Sequence, residues 1–268
     1  MKSNHIAVGT NIKGSAPNQF NSPRGIFVDV NFDLYVADCF NDRVQLFQSG
    51  ESNGITVAGY TSLTPTITLL WPTGIILDAE KYLFIVDQKN DRIVGSGLNG
   101  FRCLVGCYGK GSQSNQLEYP CSLSFDRSGN LFVADQYNHR IQKFLLMKDS
   151  FALPYNQPKF CPTATWNSKG ITFTNQSSDD FNPIAIFVST NNTIYVVNRQ
   201  NKAIIMWDEE SVNPTKIIPG NFTGIASLFV ALNGDIYIDE TIKSHRVQKW
   251  IAETNTFITV MNVRQACS

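Results

Sequence analysis

A motif that recurs along the chain constrains the fold most strongly. An alternating apolar run leads into Asp-x-x-Asn-x-Arg, and a second apolar run follows, as in LYVADCFNDRVQLF from Leu34. The motif returns as LFIVDQKNDRIVGS from Leu83 and as LFVADQYNHRIQKF from Leu131. With Asp38 as the anchor, the equivalent positions are Asp87, Asp135, Asn198 and Glu240. A period of about 40 to 50 residues made only of strands and turns is typical of β-propeller blades.

Each repeat is predicted to contain four strands. A further strand precedes the motif, as PRGIFVD from Pro23, PTGIILD from Pro72 and PCSLSFD from Pro120, with weaker copies from Pro183 and Ser227. In the first copy, alternation and β-branched or aromatic residues predict strands at residues 26–28, 34–37, 44–47 and 55–58. The sequence therefore predicts an all-β chain that forms a single propeller over residues 1–268. Its five blade cores are expected at residues 23–58, 72–106, 120–174, 183–218 and 225–260.

Two segments depart from the repeat. Residues 148–165 carry three prolines and predict a long loop or a linker, after which residues 166–174 resume as a strand. Residues 6–9, IAVG, have the form of an outer strand and predict one orphan strand of an incomplete sixth blade. Five blades either tighten into a smaller closed ring or keep six-blade spacing with a gap. We favour the gap, and we expect the apolar faces that it exposes to make the isolated chain associate.

The repeat resembles a known family. The pattern P-x-G-I-x-V-D, then L-Y-V-A-D, then N-x-R-V-Q-x-F is similar to that of the NHL-repeat β-propellers, which have six blades. The resemblance covers nearly the whole chain apart from the insert. The sequence pattern most resembles that of invertebrate NHL-repeat proteins such as those of rotifers. It resembles the NHL domains of tripartite-motif proteins more distantly. The resemblance implies this fold, but it leaves open protein binding, RNA binding, sensing and lyase activity.

The charged residues of the motif are predicted to be structural. An Asp at the end of a strand can accept N–H bonds that close a turn, Asn tolerates left-handed backbone, and Arg can return a charged hydrogen bond. Where the acid becomes Asn198, the arginine position becomes Ala203, as expected if the two charges form a pair. The residues concerned are Asp38, Asn41, Arg43, Asp87, Asn90, Arg92, Asp135, Asn138 and Arg140.

Composition and histidine content argue against several functions. Lys plus Arg equals Asp plus Glu at 22 each, so the chain lacks the net positive field that draws proteins to nucleic acids. The 3 histidines include His139 and His245 at the same position of non-adjacent blades, where they cannot share one zinc ion. Asp29, Asp78 and Asp126 end first strands and could surround a calcium ion, but we interpret them as turn residues. We therefore predict no catalysis, no metal and no cofactor, and a lactonase- or lyase-type enzyme is the third alternative.

One face of the propeller is the predicted ligand site. The loops that enter the first strands and the turns between the second and third strands meet there, and they carry aromatic and basic residues. These are Arg24, Phe40, Trp71, Lys89, Tyr119, Tyr137 and Arg199. We expect a protein or peptide ligand, with a glycan as an option. An RNA-binding or ubiquitin-ligase-associated module of the tripartite-motif type is the alternative.

Cysteines and glycosylation sequons bear on the compartment. Asn175, Asn191 and Asn221 begin N-x-S/T sequons, which favour an extracellular or membrane-tethered parent protein over a cytoplasmic one. No run of residues is long and apolar enough for a membrane helix. A disulfide between Cys103 and Cys107 requires Gly106 to turn the chain, so a Cys107–Cys121 bond stays open as an alternative. A bond between Cys161 and Cys267 could join the insert to the terminus.

Overall fold

The structure consists of five four-stranded antiparallel blades. It is a computed structural model that describes residues 7–10, 12–60, 62, 67–147, 150–151, 158–160, 163–174, 180–209, 211–220, 222, 227–240 and 246–262. In every blade the strands lie side by side in chain order. The prediction of an all-β propeller with five recognisable blades is therefore confirmed.

The strand bounds follow the repeat closely. The first blade contains β1–β4, Pro23–Val28, Leu34–Asp38, Arg43–Phe47 and Ile55–Gly59. The second contains β5–β8, Pro72–Leu77, Leu83–Asp87, Arg92–Gly97 and Gly100–Val105. The third contains β9–β11 and β14, Pro120–Phe125, Leu131–Asp135, Arg140–Phe144 and Ile171–Thr174. The fourth contains β15–β18, Pro183–Val188, Ile194–Asn198, Ala203–Trp207 and Lys216–Pro219. The fifth contains β19–β22, Ser227–Val230, Ile236–Asp239, Arg246–Ile251 and Thr256–Asn262.

Helical structure is confined to three short turns within the described residues. Each is a 3-10 turn that directly follows the second strand of a blade, at Cys39–Asn41, Gln88–Asn90 and Gln136–Asn138. The residue after each turn, Asp42, Asp91 or His139, takes left-handed backbone with φ of 51° or 52°. The Asp-x-x-Asn-x-Arg motif is therefore a strand, a tight turn and the next strand.

The apolar core lies between the blades. Among the described residues it separates into four clusters, one between each pair of successive blades. The alternation of the strands explains this arrangement, because each buried strand presents one set of side chains to the preceding blade and the other set to the following blade. The inner strands of successive blades pack against each other in the same order around the ring.

The ring is open between the first and fifth blades. Ile26 is 65% exposed and Val28 is 51% exposed on the side of β1 where a preceding blade would pack. Their counterparts in the second, third and fourth blades are at most 5% exposed, at Ile75, Leu77, Leu123, Phe125, Ile186 and Val188. Over the described part of the chain, β1 and β19 also lack the packing that joins neighbouring inner strands. The structure therefore has the gap that the repeat count favours.

The predicted orphan strand is not seen where it can be checked. Ile6 lies outside the described residues, and Ala7 and Val8 form a bend rather than a strand. A different extra pair of strands is present, β12 at Ser150–Phe151 and β13 at Lys159–Phe160. Residues 15–20 instead lie against the first blade, where their carbonyl groups accept hydrogen bonds from Arg43 and Phe20 packs against Phe47 with 5.5 Å between ring centroids.

The described part of the insert contributes Phe160 and Ala164 to the core, and Trp166 follows directly after it. Phe160 and Trp166 are buried against Phe84 and Phe125, between the second and third blades. The prediction of one strand over residues 166–174 is too long, since Trp166 makes only an isolated bridge with Leu146 and β14 begins at Ile171. Large aromatic side chains bury much apolar surface, and this burial explains why the segment folds back over the blades.

Among the described cysteines, Cys103 and Cys107 form a disulfide. Its Cα atoms are 5.9 Å apart, because Gly106 takes a φ of 74° and turns the chain back after β8. The alternative bond between Cys107 and Cys121 is wrong, since Cys121 is a free thiol. The proposed partners Cys161 and Cys267 lie outside the described residues.

A buried Asp–Arg ion pair closes the turn in the first three blades, and Glu240 forms a similar pair with Arg246 in the fifth. The Asp135 carboxylate is fully buried, and it accepts hydrogen bonds from the Glu118 backbone N–H at 2.7 Å and from Arg140 Nε at 2.7 Å. Arg140 also donates to three carbonyl oxygens of the preceding loop, those of Ser112, Gln113 and Gln116. The first blade repeats this network with Asp38 and Arg43. The pair thus holds the entering loop against the turn.

We predict that loss of the acid costs more stability where an arginine faces it. Asp135→Ala leaves the Arg140 guanidinium buried without its counter-ion, so it should lower the free energy of unfolding by about 3 kcal/mol. Asn198→Ala removes hydrogen bonds but strands no charge, because Ala203 takes the arginine position, and it should cost about 1 kcal/mol. Urea unfolding of both variants measures the difference. Equal losses would contradict the ion-pair account.

A second prediction concerns pH and the insert. Burial raises the pKa of Asp78 to about 6, although N–H groups of Tyr82, Phe160 and Glu80 donate to its carboxylate. Because the folded pKa lies above the unfolded value near 3.8, protonation favours the folded state. Asp78 therefore contributes about 3 kcal/mol to the free energy of unfolding below pH 3.8, and this contribution is lost as the pH rises to about 6.

Asp78→Asn cannot ionise and is the reference for that measurement. The stability of the parent protein relative to Asp78→Asn should fall between about pH 4 and about pH 6, as followed by urea unfolding at each pH. Parallel stability curves for the two proteins would show that Asp78 does not titrate with a raised pKa.

Candidate functional site

The predicted ligand residues lie at one end of the blades, which we call the top face. In each blade the start of the first strand pairs with the end of the second, as Pro23 with Asp38 and Pro72 with Asp87. The 3-10 turns and the loops that enter the first strands therefore meet at the same end of the sheet. Function at such a face depends on loop residues that a rigid scaffold positions.

The motif acids position two aromatic residues of the top face. Asp87 accepts the backbone N–H of Leu70 at 2.7 Å, and the next residue is Trp71. Trp71 takes a φ of 55° and donates its own N–H to Asp42 of the preceding blade at 2.8 Å. The φ places a bulky residue in the left-handed region, which is sparsely populated and needs support from the surrounding contacts.

The third blade repeats this arrangement. Asp135 fixes Glu118, and Tyr119 follows with a φ of 54° and donates its N–H to Asp91 at 2.7 Å. Burial raises the pKa of Asp91, although the Tyr119 N–H opposes this shift. Asp42 and Asp91 are therefore positioning residues that the sequence analysis missed. The sequence feature that could have identified them is the Asp that follows the motif Asn, in the sequence N-D-R of the first two blades.

Two aromatic pairs result. Phe40 packs against Trp71 with 5.1 Å between ring centroids, and the Lys89 ammonium lies 4.5 Å from the Trp71 centroid. Tyr119 and Tyr137 stack at 4.6 Å with their planes 15° apart. Phe40 is 42% exposed and Tyr137 is 52% exposed, so both pairs keep an open ring face or edge. The structure thus brings together five of the seven predicted residues, in two clusters.

The two arginines differ in their surroundings. Arg24, at the start of β1, is close enough to the Cys39 thiol and to Tyr119 for its positive charge to lower the pKa of both groups. Burial raises the pKa of the Cys39 thiol to about 11, an effect that Arg24 partly offsets. Arg199 is exposed on the turn of the fourth blade, where its backbone N–H donates to the Asn182 carbonyl oxygen. It makes no ring contact with the aromatic pairs.

The acids at the opposite end of the blades close hairpin turns. Asp29, Asp78 and Asp126 each accept N–H bonds from the residues two and four positions later. Asp78 also accepts the N–H of Phe160, and Lys81 and Lys143 form ion pairs with Asp29 and Asp126. Their carboxylates are therefore engaged by the backbone of their own blade. In the part of the chain that the structure describes, no three His, Cys, Asp or Glu side chains come together as a metal site.

Comparisons with known proteins agree with this fold. The family model of the NHL repeat matches residues 117–144, which cover the first three strands of the third blade. A chain of the nidogen/laminin complex is 15% identical over 93% of this chain and 83% of its own, with a TM-score of 0.69. A gluconolactonase from Xanthomonas campestris is 12% identical over 91% of this chain and 77% of its own, with a TM-score of 0.64.

An enzyme of different chemistry has the same fold. The virginiamycin B lyase of Staphylococcus aureus, crystallised with quinupristin, is 11% identical over 91% of this chain and 71% of its own, with a TM-score of 0.58. At such low identities these structures share the fold alone. No curated protein matches by sequence.

The class is thus a β-propeller. Residues 117–144 match the NHL repeat and lie within five blades of the same strand order, which supports the predicted resemblance to the NHL-repeat β-propellers. The resemblances to invertebrate and tripartite-motif proteins stay predictions.

We predict that the exposed aromatic residues contribute modestly to stability. Phe40 and Tyr137 each pack against a partner ring, and such pairs stabilise a fold by about 1 kcal/mol. Tyr137→Ala should therefore lower the free energy of unfolding by about 1 kcal/mol. Phe32→Ala, at a 76% exposed turn on the opposite face, is the control and should cost less. Urea unfolding that ranks the two variants the other way would contradict the pairing.

Proposed function

We propose that this propeller is a non-catalytic binding scaffold whose top face holds a protein or peptide. The observation that carries the proposal is the pair of aromatic clusters, Phe40–Trp71–Lys89 and Tyr119–Tyr137. Exposed Trp, Tyr and Arg side chains on a rigid base are the residues that dominate the energetics of protein interfaces. The strained backbone of Trp71 and Tyr119 supports the same proposal, because such strain concentrates at binding sites.

A glycan fits part of this surface, since flat aromatic rings also stack on sugars. The RNA alternative of the tripartite-motif type needs a continuous basic surface beside the rings. Here the exposed cations Arg24, Lys89 and Arg199 lie on three separate blades, and the net charge is zero. The distribution of charge therefore favours a protein or peptide.

An enzyme of the lactonase or lyase type is the third alternative, and the gluconolactonase and the lyase show that the fold can carry one. Three features support a scaffold instead. The turn acids bind their own backbone, the aromatic clusters are open to solvent, and Arg140 and its counterparts are engaged by entering loops.

The disulfide and a sequon support an extracellular parent protein. Cys103–Cys107 is a bond that oxidising compartments preserve. Asn191 is exposed on the turn between β15 and β16, where an oligosaccharide can be attached, while Asn175 and Asn221 lie outside the described residues. No helix among the described residues has the length and apolar character to cross a membrane.

The ligand class can be tested with a random peptide display library selected on the intact chain. The double variant Phe40→Ala, Tyr137→Ala should weaken the selected peptides by tenfold or more, about 1.4 kcal/mol. The double variant Phe32→Ala, Leu232→Ala removes two exposed apolar residues of the opposite face and should leave binding unchanged. The same proteins are titrated with a uridine oligonucleotide at two salt concentrations.

Peptides that bind all three proteins equally would refute a top-face site. Oligonucleotide binding that weakens steeply with salt and depends on Lys89 and Arg24 would replace the proposal with the RNA alternative.

A further inference from the structure

One inner position of the top face carries a charge in the first blade and none in the next three. The second residues of the inner strands β1, β5, β9 and β15 are Arg24, Thr73, Cys121 and Ile184. The first three blades are in close contact here, since a Cβ added at Gly25 would lie 2.1 Å from the Thr73 carbonyl oxygen and the Thr73 hydroxyl donates to the Cys121 carbonyl oxygen at 3.1 Å. Thr73 and Ile184 are buried, whereas Arg24 is exposed. Arg24 is therefore the one cation at this position of these four blades.

Arg24 lies close to both aromatic clusters. Its positive charge acts on the thiol of Cys39, the residue directly before Phe40 of the first cluster. It also acts on the hydroxyl of Tyr119, which belongs to the second cluster, and on Cys121 at the inner end of the third blade. One guanidinium thus stands beside both ring pairs.

The two cations beside the rings lack acidic partners within the described structure. No described carboxylate forms an ion pair with Arg24, or with Lys89, which lies over the Trp71 ring. The acids of the same surface, Asp42 and Asp91, accept backbone N–H groups of the following blade instead. The charge of Arg24 is therefore available to an anion from outside the chain, and a guanidinium fork matches a carboxylate.

We propose that the top face selects a peptide in which a Glu or Asp carboxylate lies between two apolar side chains. This inference rests on the proposed binding function and adds the chemistry of the ligand. The carboxylate accepts paired N–H groups of Arg24. The flanking apolar side chains pack against the Phe40–Trp71 pair and against the Tyr119–Tyr137 stack, as anchors of peptide interfaces do.

A carboxylate suits this surface better than a phosphate. Recognition of phosphorylated peptides uses clusters of arginines. Here one guanidinium stands beside both ring pairs, and Arg199 lies apart on the turn of the fourth blade. A single planar guanidinium satisfies a single planar carboxylate through two parallel hydrogen bonds.

Two matched peptide libraries test the proposal. Each has random positions on both sides of one fixed residue, which is Glu in the first library and Gln in the second, and both are selected on the intact chain. We expect peptides from the Glu library with aromatic or aliphatic residues enriched on both sides of the fixed position. Replacing the fixed Glu of such a peptide by Gln should weaken its binding by about tenfold or more, because the charged hydrogen bonds are lost.

Variants of the chain locate the charge. In Arg24→Gln the Glu peptide should bind as weakly as its Gln counterpart, and binding of the Gln counterpart should not change. Arg24→Lys keeps the charge without the fork and should retain only part of the preference. The control Arg127→Gln removes an exposed arginine from the turn after β9, on the opposite face, and should affect neither peptide. Urea unfolding of each variant separates a loss of binding from a loss of fold.

The outcomes distinguish this inference from the proposed function. Equal binding of the Glu and Gln peptides, still dependent on Phe40 and Tyr137, would overturn the carboxylate and keep the top-face site. An equal loss of both peptides in Arg24→Gln would also overturn it, since the arginine would then act through packing alone. Phosphotyrosine in place of the fixed Glu that tightens Arg24-dependent binding about tenfold would assign the site to a phosphopeptide instead. If no selected peptide depends on Phe40 and Tyr137, both the inference and the proposed function fail.

Discussion

The buried carboxylate at the end of the second strand in the first three blades is the interaction on which the rest of the structure depends. Asp38, Asp87 and Asp135 are fully buried, and each receives a backbone N–H of the entering loop and the Nε of its own arginine. A buried carboxylate is costly unless such partners surround it. Because these partners come from the loop, the turn and the third strand, one side chain joins three segments in each of the first three blades.

This interaction connects the scaffold to the proposed ligand site. The loop residue that donates to the carboxylate directly precedes Trp71 in the second blade and Tyr119 in the third. The same loop is then fixed a second time by Asp42 or Asp91 of the neighbouring blade. The aromatic clusters are thus held by groups whose role is structural. A ligand can therefore bind a preformed surface, which reduces the entropy cost of association.

The sequence predicts the repeated parts of this structure and misses the unrepeated ones. Five aligned copies predict the strands to within a few residues, because alternation and turn residues recur in each. The insert has no second copy for comparison, so its sequence did not indicate that Phe160 and the adjoining Trp166 enter the core. The bond of Cys103 depended on one φ angle, at Gly106. The contact of Lys89 with Trp71 joins residues of one blade across a turn, and spacing alone could not locate it.

Native-state hydrogen exchange of the entering loops tests the central claim most directly. The backbone N–H groups of Asn21, Leu70 and Glu118 lie in loops, but each donates to a buried carboxylate at 2.7 Å. The account predicts that these three amides exchange as slowly as the amides of β6 and β10, because they open only when the blade unfolds. Fast exchange at these positions, at the rate of an ordinary surface loop, would show that the carboxylates do not hold the top face in place.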